Sequence, residues 1–154
     1  MSLDKTDVAL LSLMQVDASL SVGTLSEKVG ISKSACWRRI QKLDELGVIR
    51  QRVTLLDPKK LGLSLTVYIS VRTSQHNQKW AKDFQGVINN IDGITEVYRM
   101  GGDVDYLLKA VVSDMQGYDR LYQKLIHADL FEVTAGFVME TMKHTTVLPV
   151  SATP

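Results

Sequence analysis

The 154-residue chain is poor in the residues that most often carry covalent or metal chemistry: it has one cysteine, Cys36, and three histidines, His76, His127 and His144. A single cysteine excludes an internal disulfide and suits a reducing cytosol. The three histidines have no metal-ligand spacing, and no glycine-rich phosphate cradle occurs. No side-chain constellation for catalysis emerges, so no enzyme, metal or cofactor is expected. No apolar run approaches the length of a membrane span, and no basic-then-apolar leader opens the chain. A cytoplasmic protein without membrane attachment is therefore expected. Aromatics make up 6% of the chain. Its sheet-like stretches "YLLKAVV" and "VYISVR" lack the stacking aromatics of an RNA-recognition strand.

What is present is a soluble globular composition, 45% hydrophobic and 23% charged. The net charge of +1 conceals an asymmetry. Residues 28–60 hold nine basic and three acidic side chains, a net of +6, whereas residues 61–154 hold eight basic and ten acidic. A positive block beside a mildly acidic remainder points to a polyanion partner for one part of the molecule only. It also speaks against a pure scaffold, for which such a block has no use.

Capping residues divide the front of the chain. Asp4 caps a first helix ending near Val16–Asp17, with Val8, Leu11 and Met14 on one face. Ser21 caps a short second helix, with Leu20 and Leu25 as a hydrophobic staple and Gly30 as its stop. Ser32 caps a third helix that runs to about Leu46, where Gly47 supplies a left-handed stop; Ile31 and Cys36 form its staple. Two caps eleven residues apart with a glycine between them give helix-turn-helix spacing.

At about 100° per residue, the third helix places Cys36, Ile40 and Leu43 on one side. Ser34, Trp37, Arg38 and Gln41 fall on the other, flanked by Lys33, Arg39 and Lys42. The cysteine is thus read as a small core hydrophobe, with a redox switch as the functional alternative. Arginine reads guanine edges and glutamine reads adenine when a helix enters the major groove. Arg38 is expected to read a base beside Ser34, Trp37 and Gln41. Lys33, Arg39, Lys42, Arg50 and Arg52 are expected on phosphates.

After Gly47 the run "VIRQRVTLLDP" reads as extended, and Asp57-Pro58 marks a turn. Residues 63–143 then read strand, helix, strand, strand, helix, strand. "LTVYISVR" puts Leu65, Val67, Ile69 and Val71 on one face, and "VTAGFVMETM" is the last strand. The expected fold class is α+β: a helix-turn-helix domain at 1–49, an extended linker at 50–62, and a ferredoxin-like βαββαβ sandwich at 63–154. The last strand carries Val133, Ala135, Phe137 and Met139 on one side and Gly136, Val138 and Met142 on the other. Two apolar faces imply a second sheet from another copy, hence a homodimer.

"LDKTDVALLSLMQVDASLSVGTLSEKVGISKSACWRRIQKLDELGVI", "GGDVDYLLKAVVSDMQGYDRLY" and the closing "VMETMK", in this order, resemble the Lrp/AsnC (leucine-responsive, feast/famine) transcription regulators over nearly the whole chain. The resemblance implies a DNA-binding front domain, a back domain that dimerises and binds amino-acid effectors, and further assembly, often to an octamer. It places the recognition helix at Lys33–Leu46. It places an effector pocket near Gly101, Gly102, Asp103, Val104, Asp105 and Tyr106, with Thr134, Ala135 and Gly136 of the last strand. Ala135 departs from the family's common hydroxyl residue. Physically, paired glycines free N–H groups for a carboxylate, and Asp103 or Asp105 can accept from an ammonium group. A plain hairpin turn is the alternative reading of Gly-Gly-Asp. The function expected is a DNA-binding regulator of double-stranded DNA that responds to an amino acid. The alternative is a ferredoxin-like assembly or RNA-binding protein whose helical front is structural.

Overall fold

A computed structural model describes residues 2–152. These residues form two compact units, one of residues 2–55 with 143–152 and one of residues 56–142.

The first unit is built on three helices, α1 (Lys5–Val16), α2 (Val22–Val29) and α3 (Lys33–Glu45). Each starts where the sequence supplies an oxygen for the unpaired N–H groups of its first turn. Asp4 accepts from the Asp7 N–H, Ser21 from that of Thr24 and Ser32 from that of Ala35. Gly30 closes α2 at φ +74°, a left-handed conformation that glycine adopts without a Cβ clash. The core joins Leu10, Leu25, Cys36 and Ile40, with Leu13, Met14, Leu20, Ile31 and Ile49 packed around them.

Leu10, not Val8, is the most deeply buried residue of α1, and Leu11 is buried as well. The run Val8-Ala9-Leu10-Leu11 is apolar throughout, so spacing alone does not choose a face. The structure shows that α1 uses two. Residues 143–152 return to this unit, and Leu148 and Pro149 line one groove with Leu11 and Met14. The tail thus packs with the helical unit.

The second unit is a four-stranded antiparallel sheet in the order β2-β3-β1-β4, from β1 (Leu65–Arg72), β2 (Ile94–Arg99), β3 (Tyr106–Val112) and β4 (Glu132–Phe137). Helices α4 (Gln78–Asn89) and α5 (Met115–Leu125) give the βαββαβ order. Val67, Ile69 and Val71 of β1 and Leu108, Ala110 and Val112 of β3 are buried in one core with Trp80, Phe84 and Ile88 of α4 and Leu121 and Leu125 of α5. The Trp80 indole N–H donates to the Ala128 carbonyl at 2.9 Å, so the ring is satisfied where it is buried.

β4 stops at Phe137, earlier than the sequence pattern implies. The Val138 N–H still donates to the Thr66 carbonyl, near the start of β1, but the regular pairing ends with Phe137 opposite Val67. Met139 and Met142 therefore lie beyond the strand, 96% and 87% exposed. The sheet face away from the helices is mixed. Tyr68, Tyr98, Leu107 and Val111 share it with an ion pair between Lys109 and Glu96 at 2.8 Å, and the Tyr98 hydroxyl donates to Glu96 at 2.6 Å.

Candidate nucleic-acid interface and effector loop

Helix α3 presents two faces with opposite chemistry. Cys36, Ile40 and Leu43 are 0%, 4% and 2% exposed. Burial raises the Cys36 thiol above its ordinary range, so it stays protonated and packs as a hydrophobe. One residue on, Trp37 is 53% exposed, and Lys33, Ser34, Arg38 and Lys42 stand in solvent beside it. Gln41 is half-buried. Among the described residues, Lys33, Arg38 and Lys42 make no ion pair. A tryptophan and a guanidinium held in water on a helix that begins at a turn can enter a groove without first breaking internal contacts.

Two of the expected phosphate contacts are engaged elsewhere. The Arg39 guanidinium donates from one nitrogen to Asp4 and to Asp7 of α1, each at 2.7 Å. As the N-cap of α1, Asp4 accepts a hydrogen bond from the Asp7 N–H. That bond, and then the one from Arg39, hold its carboxyl below the usual aspartate range. The same two carboxylates raise Arg39 further. Arg52 pairs with Asp44, near the end of α3, at 3.0 Å. Arg50 remains exposed. The sequence reading missed Arg39's partners because they lie 35 and 32 residues away.

The glycine loop joins β2 to β3. The Met100 N–H donates to the Asp105 carbonyl at 2.8 Å, and Gly102 sits at φ +112°, a conformation reserved for glycine. Asp105 does not face free solvent: its carboxylate accepts from the buried Thr73 N–H at 2.8 Å, tying the loop to the end of β1. Asp103 is exposed, and no ion pair engages it among the described residues. Gly102, Asp103 and Asp105 line a shallow depression with Arg72, Thr73, Ser74, His76 and Phe131.

The remaining expected effector residues are divided by the sheet. Tyr106 turns under it and packs against Phe84 and Trp80, with ring centroids 4.9 and 5.7 Å away. Ala135 packs on the same core, so its missing hydroxyl faces the helices rather than a ligand. Thr134 and Gly136 point to the opposite face, paired with Ser70 and Tyr68. Gly101 is exposed and Val104 half-buried in the loop itself. Within one chain the loop and β4 therefore do not converge on one cavity. Arg72, Ser74, His76 and Phe131 were not anticipated at the loop. The antiparallel register that sets Val71 against Tyr106 is what brings them there.

Residues 3–44 match the family described as the AsnC-type helix-turn-helix domain, and residues 66–148 match the Lrp/AsnC ligand binding domain. A glutamate uptake regulatory protein of Zymomonas mobilis is 47% identical over 98% of this chain and 93% of its own length. The DNA-binding transcriptional activator DecR of Escherichia coli is 39% identical over 96% and 99%. A crystal structure of an AsnC family transcriptional regulator from Agrobacterium tumefaciens superposes with a TM-score of 0.90 at 46% identity, covering 96% of this chain and 97% of that one. A Neisseria meningitidis transcriptional regulator in complex with L-Met superposes with a TM-score of 0.89 at 31% identity, with the same coverage.

Proposed function

Because the chain belongs to the Lrp/AsnC family of transcriptional regulators, we propose that it binds double-stranded DNA sequence-specifically and that a small effector, an amino acid, tunes its DNA affinity or assembly. The observation that carries the DNA reading is the split of α3: the thiol at 36 is wholly buried, while the indole and guanidinium at 37 and 38 stand outside. Arg38 is the base reader, with Trp37, Ser34 and Gln41 beside it. Lys33, Lys42 and Arg50 serve the phosphates. The compartment this reading implies is the cytoplasm.

The effector reading rests on the loop. Asp103 offers a carboxylate to an ammonium group, and the backbone N–H groups around Gly101 and Gly102 suit a carboxylate. The relative crystallised with L-Met supports the ligand class. Because Thr134 and Gly136 lie on the open sheet face, a second copy is needed to complete a pocket that uses them. The tyrosines and aliphatic side chains of that face suit a homodimer, and further assembly to an octamer follows the family pattern. An effector shifts such an assembly only by binding one state more tightly than the other.

The test is selection of duplexes from a random pool, followed by affinities for the winner and for a scrambled duplex. Arg38→Ala is expected to cost about 1–3 kcal/mol on the winner and to relax preference at one base position. An equal loss on both duplexes reassigns Arg38 to the backbone. Tighter binding to single-stranded RNA than to any duplex overturns the DNA reading.

A further inference from the structure

We infer that Arg39 is a positioning residue for DNA recognition: by clamping α3 to the first turn of α1 it fixes the angle at which Trp37 and Arg38 meet the groove. The inference rests on the DNA-binding reading above and deepens it.

The argument starts from four carboxylate oxygens. Asp4 Oδ1 accepts from the Asp7 N–H at 2.9 Å, and Asp7 Oδ2 accepts from the Asp4 N–H at 3.2 Å, a reciprocal capping box. That spends one oxygen of each acid on the helix end. The other two, Asp4 Oδ2 and Asp7 Oδ1, both accept from the same nitrogen of Arg39 at 2.7 Å. Every oxygen of the pair has a donor, and the capping box holds both acids at the spacing the guanidinium needs.

Isolated surface ion pairs contribute little because two mobile side chains must be immobilised. Here the acids are immobilised already, by the backbone they cap. Asp7 is also largely sheltered, its side chain 15% exposed. The clamp's position is what gives it a role. α3 packs chiefly against α2, while α1 meets it through Leu10 at the core and through this ion triad. Arg39 follows directly on the proposed base reader, so a shift of its anchor rotates Arg38 and Trp37 with it. Misplaced bidentate contacts lose the geometry that separates one base from another, while phosphate attraction, being less directional, persists.

The experiment uses the full chain with a duplex selected by the wild type and a scrambled duplex, each titrated across a range of salt. Arg39→Ala, Arg39→Lys and Asp7→Asn are compared after thermal melts establish that each is folded. The expected result is about a tenfold or greater loss on the selected duplex for Arg39→Ala, little change on the scrambled one, an unchanged salt slope, and partial rescue by lysine. Asp7→Asn is the decisive variant. It removes a negative charge, which by attraction alone would tighten binding to both duplexes; loss on the selected duplex only is the signature of positioning. A fall of about 0.9 in the salt slope of Arg39→Ala on both duplexes makes Arg39 a phosphate contact and overturns the inference. An unchanged ratio of selected to scrambled affinity, even with a lowered melting temperature, reduces the triad to a stabilising role and overturns it too. A wild-type chain that selects no duplex removes the DNA reading first and this inference with it.

Discussion

Gln15 and Leu148, 133 residues apart in sequence, exchange two hydrogen bonds: the Gln15 Nε2 donates to the Leu148 carbonyl at 3.1 Å and the Leu148 N–H donates to Oε1 at 2.7 Å. One side chain thus pairs with one backbone unit as a neighbouring strand would. The groove beneath is lined by Leu11, Met14, Ile49 and Val150. Replacing Gln15 with alanine removes both bonds at a partly solvated site, for an expected loss of about 1 kcal/mol in the helical unit. Urea unfolding in a Trp80→Phe background, followed by Trp37 fluorescence, reads that unit alone. A midpoint that does not move makes the tail's contact energetically neutral.

The two aspartates of the glycine loop are expected to separate stability from response. Asp105→Ala strands the buried Thr73 N–H and should cost about 1–3 kcal/mol. Asp103→Ala removes a solvated group and should cost under about 0.5 kcal/mol. In a thermal-shift screen of the common amino acids, a ligand that raises the melting temperature of the wild type should lose its effect in the Asp103 variant. An undiminished shift there moves the ammonium partner elsewhere.

Cys36 should resist chemistry in the native state. It is fully buried, and burial raises its pKa, so little reactive thiolate forms at neutral pH. Labelling by a thiol reagent is expected to be slow in buffer and complete in denaturant. Fast, complete labelling of folded protein with loss of DNA binding would restore the redox-switch reading. Cys36→Ser places a hydroxyl where the thiol now packs against Leu10, Leu25 and Ile40, and is expected to lower stability by about 1–3 kcal/mol.

These residues also mark how far the sequence could be read. The caps at Asp4, Ser21 and Ser32 were legible because a cap is settled within one helical turn. The inward Cys36 and outward Trp37 were legible because a helix turns by a fixed angle per residue. The order of strands and helices followed from alternation and turn residues, and the family resemblance led to the glycine loop.

What stayed hidden depends on long-range partners. Arg39 on a helix wheel looks as available to phosphate as Arg38 does. Only the fold brings α1's acids to one and not the other. The bond between Asp105 and the Thr73 N–H comes from the register of β3 against β1, which no local pattern around Asp105 records. β4 ends at Phe137, opposite Val67 of β1, and the apolar pattern of β4, which runs on to Met142, does not record that end.

The return of residues 143–152 to the helical unit has a consequence during synthesis. Helices α1, α2 and α3 leave the ribosome before the sheet does, and the face of α1 that carries Leu11 and Gln15 waits for its cover until the sheet has been translated. A nascent chain therefore carries an uncovered apolar strip on α1 until residues 143–152 follow, and a message cut short after β4 would leave that strip bare for good.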